Sequence, residues 1–230
     1  MRIRHLVVAI VVLPFALAAA QIPQPPINVL PPTATAQLAR SFEAARAHAQ
    51  HVWRDTPARN ADGTVNAYIE IARGDRRKWE LDMGANARAI DRVIPESVGG
   101  YPVNYGFVPQ TVSYDGDPFD ALVLGPAIDG GETVRGVVVG LMYMVDEKGL
   151  DSKVVLSLRT AGGQPLHELS AGDQQRIAEY FRRYKAYDIG AYSKVPGWGA
   201  VAEGVALVDR THAFFVQCRE RSGQPCTIDR

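Results

Sequence analysis

Three carboxylates in six residues, Asp115-Gly116-Asp117-Pro118-Phe119-Asp120, run straight into the apolar stretch Ala121-Leu122-Val123-Leu124. Like charges packed this closely resist being ionised together unless cations neutralise them. The loop therefore predicts a site for hard divalent metal at the entrance of a strand. A second acidic cluster, Asp146-Glu147-Lys148-Gly149-Leu150-Asp151, follows the long apolar run from Thr133 to Val145. Two acidic loops abutting strand ends can converge at one mouth of a barrel, and their oxygen-only ligands suit Mg²⁺ or Mn²⁺ rather than zinc. An EF-hand does not fit: Phe119 stands where a turn glycine should come, and no twelve-residue ligand series follows.

From Val65 onward the chain reads as short strand-like runs, Val65 to Ile71, Trp79 to Met83, Ala121 to Leu124, Thr133 to Val145 and Lys153 to Leu158, separated by Gly- and Asp-bearing turns. The β-branched, glycine-punctuated segment Val134 to Leu141 suits a bent strand of a small barrel. Ser170 to Tyr184 then opens on a Ser cap and sets Ile177, Ala178, Phe181 and Tyr184 on one helical face, and Ala200 to Cys218 is a second helix. The expected fold is mainly β with flanking helices (α+β), a closed antiparallel barrel with two C-terminal helices.

The formal net charge is zero, so the chain has no global basic field of the kind that nucleic-acid binding uses. Any attraction for an anion must be local. Interleaved with the acids are isolated cations and phenols, Lys78, Arg92, Tyr101, Tyr105, Lys153, Tyr184 and Lys185. A site that holds several metal ions together with a polyanion needs this alternation, because carboxylates alone would repel the anion.

The first residues read as a signal peptide. A cationic start, Met1 to His5, precedes an apolar run from Leu6 to Leu17 and a small-x-small cleavage site at Ala18-Ala19-Ala20. The run is shorter than the roughly 20 residues that a spanning helix needs, which argues against a stable membrane anchor. Its removal takes away Arg2 and Arg4 and leaves 23 basic against 25 acidic residues, a mature charge of about −2. Residues 21–34 form a Pro-rich linker, and Thr35 to Arg54 carries Leu38, Phe42, Ala45, Ala49 and Val52 at helical spacing, an added N-terminal helix within residues 35–60. The remainder, 61–230, is expected to be one catalytic domain with a C-terminal tail. The only two cysteines, Cys218 and Cys226, flank Gly223 and Pro225. A disulfide stapling the tail and two unpaired thiols both stay open at this point.

Asp-Gly-Asp-Pro-Phe-Asp followed by apolar residues resembles the signature loop of the soluble family I inorganic pyrophosphatases, and flanking residues match in order from about Glu70 to Trp198. The resemblance implies an OB-like five-stranded barrel, hydrolysis of pyrophosphate to two phosphates by metal-activated water, several Mg²⁺ ions per site with Mn²⁺ as an option, and a homo-oligomer, dimer or hexamer. Carried onto this sequence, it implies metal ligation by Asp115, Asp120, Asp146 and Asp151, and Asp117 as general base. Lys78, Arg92, Tyr105, Lys153, Tyr184 and Lys185 would bind the substrate, with Glu70, Glu80 and Tyr101 in support. Lys194 in Lys194-Val195-Pro196-Gly197-Trp198 matches a further supporting position. The helix within residues 35–60 has no counterpart in the resemblance, and the export signal is unusual beside it; that signal implies a periplasmic or secreted enzyme.

Each residue taken alone also has a plainer reading. A lone Asp of the loop serves turn chemistry as readily as ligation, Tyr101 and Tyr105 suit strand packing, and single lysines are usually solvated. The joint occurrence favours the catalytic reading. Two other classes stand beside it: a metal-dependent hydrolase of another phosphoanhydride, and a non-catalytic secreted cation- or phosphate-binding protein.

Overall fold

A computed structural model describes residues 32–220 and Cys226. Its elements in chain order are α1 (Pro32–Arg46), α2 (Val52–Asp55), β1 (Val65–Ile71), β2 (Arg77–Asp82), β3 (Ala87–Val93), β4 (Asn104–Val108), β5 (Phe119–Leu124), β6 (Thr133–Asp146), β7 (Gly149–Leu150), β8 (Lys153–Leu158), α3 (Ala171–Arg183), β9 (Ser193–Gly199) and α4 (Val201–Glu220). The protein is mainly β sheet with a few helices. The expected signal peptide, residues 1–20, lies outside the described residues. Among those described, no helix is long and apolar enough to cross a membrane.

Strand pairing runs β1–β4–β5–β8–β6, and β6 also pairs with β1, so the sequence of neighbours returns to its start. The pairs are antiparallel except one: β5 and β8 run parallel, with Ala121 opposite Val154. This corrects the all-antiparallel expectation. β8 reaches β5 only after the chain has crossed through β6, and it therefore arrives in the same direction as β5. The 14-residue β6 borders β1, β8 and β9 in turn. Its register slips between Val138 and Gly140 and again between Tyr143 and Val145, which lets one strand bend across three partners. β2 and β3 form a separate hairpin. On β4, a Cβ at Gly106 would lie 1.8 Å from the Tyr68 carbonyl oxygen, so the close approach of β1 to β4 requires glycine there.

Two apolar clusters fill the interior. Phe119, Ala121 and Val123 of β5 join Val154 and Leu156 of β8 in the first. Leu122, Leu124 and Val155 from the alternate positions join Met142, Met144 and α3 residues Ile177, Ala178 and Phe181 in the second. The period-two alternation of the strands thus feeds both clusters. α4 packs along β6 and α3 along β9.

The N-terminal helix differs from expectation at both ends. It starts at Pro32 rather than after a linker reaching residue 34, because the first turn has no use for the N–H that proline lacks. It stops at Arg46 rather than continuing to Arg54. The guanidinium of Arg54 turns back and donates to the carbonyls of Ala45 at 2.7 Å and His48 at 2.9 Å, satisfying the open end of α1. Ala34, Leu38, Phe42 and Ala45 are buried in the first cluster, with the Phe42 ring 4.7 Å from Trp53 and 5.5 Å from Phe215. Cys218 and Cys226 form a disulfide, with their Cα atoms 5.4 Å apart.

Candidate active site

The same alternation that sorts the core also sets the site. Asp120 shares its face of β5 with Leu122, Lys153 shares its face of β8 with Val155, and Asp146 shares its face of β6 with Met142 and Met144. Where the apolar residues of the second cluster stop, charged residues continue the same rows. Glu70 enters from β1 at a register shift between Ile69 and Ile71. The Asp115–Asp117 loop, the β6–β7 turn, the β2–β3 hairpin and the end of α3 close a cleft of about 480 Å³ over this point.

In and behind the cleft, each cation is paired with carboxylates. Lys153 Nζ donates to Asp120 Oδ2 at 2.5 Å and to Asp151 Oδ1 at 2.8 Å. Lys185 Nζ donates to Asp146 Oδ2 at 2.6 Å and to Glu147 Oε1 at 2.9 Å. Lys78 bonds Glu80 and lies 3.1 Å from Asp91 Oδ2, and Arg92 Nη1 donates to Asp188 Oδ2 at 3.1 Å. Arg92 Nε is buried, 3.6 Å from Asp91 Oδ2, with no hydrogen bond among the described residues. The backbone N–H of Asp117 donates to Asp115 Oδ1 at 3.1 Å, and Gln37 of α1 donates its side-chain amide to Asp117 Oδ1.

Desolvation dominates the electrostatics. Burial, reinforced by the charge of Asp115, pushes Asp117 up to about 7. Burial and then Asp120 raise Asp115, and burial raises Asp151 well above the usual carboxylate range despite Lys153. Burial pushes Glu70 up to about 8 against the opposing Leu81 N–H bond. Burial works against the charge of Lys153, yet Asp120 and Asp151 outweigh it and hold the ammonium above its ordinary value. Burial, then Asp120, raises the Tyr105 phenol, and burial, then Asp151, raises that of Tyr184.

Carboxylates forced together with so little water are a poor arrangement for bare protein and a good one for hard cations, so the donor set fits divalent metal. The carboxylates are not gathered into a finished cage. Among the described residues no group of three or more His, Cys, Asp or Glu side chains converges closely enough to hold an ion as it stands. The ammonium groups of Lys153 and Lys185 stand among them instead.

Asp115, Asp117, Asp120, Asp146 and Asp151 all line the cleft, as do Glu70, Lys78, Glu80, Arg92, Tyr105, Tyr184 and Lys185. Three expected residues do not, and one of them, Lys194, is exposed on β9 with its Nζ 5.6 Å over the Tyr192 ring. Lys153 is fully buried behind Asp120 and Asp151, its charge spent on the carboxylates rather than offered to the lumen. Tyr101 is buried in the second cluster, its ring 5.4 Å from Tyr105 and 5.1 Å from Tyr180. Gln37 and Ser41 of α1 line the cleft without having been anticipated. They flank the buried stripe Leu38–Phe42 at a spacing of four, which marks them as a shared helix face but carries no hint of what that face meets.

The family model described as Inorganic pyrophosphatase matches residues 67–215. The chain is 35% identical over 154 residues to the inorganic pyrophosphatase of Saccharolobus solfataricus, covering 64% of this chain and 89% of that one. It is 40% identical over 146 residues to that of Thermus thermophilus, covering 60% and 82%. The crystal structure of the Thermus thermophilus inorganic pyrophosphatase superposes with a TM-score of 0.66 at 34% identity, covering 72% of this chain and 99% of that one.

Proposed function

The chain belongs to the inorganic pyrophosphatase family and hydrolyses pyrophosphate to phosphate, and we propose that Asp115, Asp120, Asp146 and Asp151 would hold divalent cations in the cleft while Asp117 takes the proton of the attacking water. The observation that carries this reading is the joining of buried, mutually repelling carboxylates and cationic donors in one cleft, formed largely by residues of the matched span 67–215. Mg²⁺, when bound, supplies charge neutralisation of the phosphoryl oxygens and makes a water acidic enough to react near neutral pH.

The protein's own groups do the rest. Asp117 sits on a loop braced by its own backbone bond to Asp115 and presents a carboxylate to the lumen. Lys78, Arg92 and Lys185 hold the anion by exchanging their present carboxylate partners for phosphate oxygens. The raised phenols of Tyr105 and Tyr184 remain protonated and donate hydrogen bonds. Lys153 acts from behind the wall as counter-ion to Asp120 and Asp151, which keeps both oriented toward the lumen. In-line displacement with this positioning needs no covalent intermediate on the protein.

Phosphate release from pyrophosphate with Mg²⁺, repeated with a chelator and with tripolyphosphate and nucleotides, tests the reading. Release confined to the cation-supplied reaction and to pyrophosphate is expected; release that survives chelation would remove the metal assignment. Asp117→Asn should lower turnover by roughly 10²–10⁴.

The returning circuit of strand pairs supports a closed, five-stranded OB-like barrel. The Cys218–Cys226 bridge supports export to an oxidising compartment, after cleavage near Ala20. Assembly into a homo-oligomer, dimer or hexamer, belongs to the same reading, and sedimentation of the purified protein tests it.

A further inference from the structure

The residue that touches the proposed base comes from outside the matched span. α1 covers Pro32–Arg46, whereas the family match begins at residue 67. The helix is nonetheless tied to the domain along its length: Leu38, Phe42 and Ala45 are buried against the core, and Arg54 closes its C-terminal end. At its start it lies directly on the acidic loop. A Cβ at Gly116, whose φ is +89°, would fall 2.8 Å from the Ala34 carbonyl oxygen, so helix and loop approach as closely as backbone allows.

From this contact Gln37 extends into the cleft and donates to Asp117 Oδ1, with Ser41 one turn further along the same wall. We propose that Gln37 is a positioning residue for Asp117: the amide of an added helix fixes the carboxylate that accepts the proton of the attacking water. This rests on the reading of Asp117 as base. The chemistry suits the task, because an amide N–H occupies Oδ1 without itself titrating. Oδ2 makes no hydrogen bond among the described residues and is the atom left to face the water. The neighbouring backbone bond from Asp117 to Asp115 Oδ1 holds the loop but does not touch the Asp117 carboxylate, so among the described side chains Gln37 is the one hydrogen-bonded to that carboxylate.

Four proteins test the proposal: the wild type, Gln37→Met, Asp117→Asn and the double variant. Methionine keeps roughly the length and bulk of Gln37 and removes its amide, and with it the bond to Asp117. Gln37→Met should lower kcat by ~10–100-fold, since a misdirected base loses transition-state geometry, and leave KM within about twofold, since ground-state binding is untouched. Its thermal midpoint should stay within about 2 °C of wild type. In the Asp117→Asn background the same change should alter kcat by less than about twofold, because two residues acting through one group do not add.

Unchanged kcat in Gln37→Met beside an impaired Asp117→Asn overturns the positioning role alone. Unchanged kcat in Asp117→Asn overturns the underlying assignment of the base. A fall in kcat that comes with a lowered thermal midpoint, or that adds in full to the Asp117→Asn loss, makes Gln37 a structural residue and overturns the proposal as well.

Discussion

Glu70 is a carboxyl with almost no water around it. Among the described residues only the Leu81 N–H, at 2.7 Å from Oε1, supports it directly, and burial pushes it to about 8 from an ordinary value of 4.5. A folded-state value above the unfolded one means that the folded protein binds more protons between those two limits. The group's contribution is therefore fully present below about pH 4.5 and is lost as pH rises through about 8. Glu70→Gln retains an acceptor for Leu81 and removes the charge that burial opposes. In chelator-treated protein, Glu70→Gln should melt higher than wild type at pH 8, by on the order of 5 °C, and the gap should close as pH is lowered to 5. A gap that stays constant with pH would show that Glu70 is not protonated in the metal-free fold. The same reasoning explains why a divalent cation suits this cleft: it relieves a repulsion that the protein otherwise manages with protons and with two lysines.

At the scale of the element, α3 is capped at one end and reaches the cleft at the other. Ser170 Oγ accepts from Asp173 N at 3.1 Å while the Asp173 carboxylate accepts from Ser170 N at 3.3 Å, a reciprocal cap, and the helix runs from there to Tyr184 and Lys185 in the cleft. Ser170→Ala should cost about 1 kcal/mol, lowering the thermal midpoint by roughly 3 °C, with kcat unchanged because the cap lies at the far end of the helix from the cleft residues. A fall in kcat would instead mean that capping strain reaches Tyr184. This helix was legible because its signals are local: a Ser cap, then Ile177, Ala178, Phe181 and Tyr184 on one face, all buried. The β-branched strands β1 and β8 were legible to the residue for the same reason. β3 was not, since every residue of Ala87–Val93 is exposed or half-buried and no alternation arises. β9 contains Pro196 and Gly197, residue types that interrupt a strand pattern, and among the described residues it forms a strand by lying along β6 without a second neighbour. The end of α1 was hidden because Arg54, eight residues beyond it, supplies the stop. The acidic loops announced themselves through repulsion written into adjacent residues. Gln37 did not, being an ordinary polar residue that meets Asp117 across 80 positions of chain.

For the whole molecule, the C-terminal bridge and the N-terminal segment make one argument about where the chain works. Cys218 lies in the last turns of α4, whose Phe214 and Phe215 are buried, and Cys226 is itself buried against the first cluster. The bridge thus fastens the chain beyond α4 to the same cluster that anchors α1 through the Phe42–Phe215 contact. A cross-link eight residues apart removes unfolded-state freedom equivalent to about 2–3 kcal/mol by loop-closure entropy. Such a bond does not persist in a reducing cytosol but does in an oxidising compartment outside it, where a cleavable leader at residues 1–20 would deliver the chain. Neither cysteine lines the cleft, so stability and chemistry should separate on reduction. Protein isolated from the extracytoplasmic fraction should begin after Ala20 and contain no free thiol. Reduction should lower its thermal midpoint by about 5–10 °C while kcat, measured well below that midpoint, stays the same. Recovery of the protein from the cytoplasmic fraction with its leader intact would overturn export, and free thiols in the isolated protein would leave the bridge without a stabilising role.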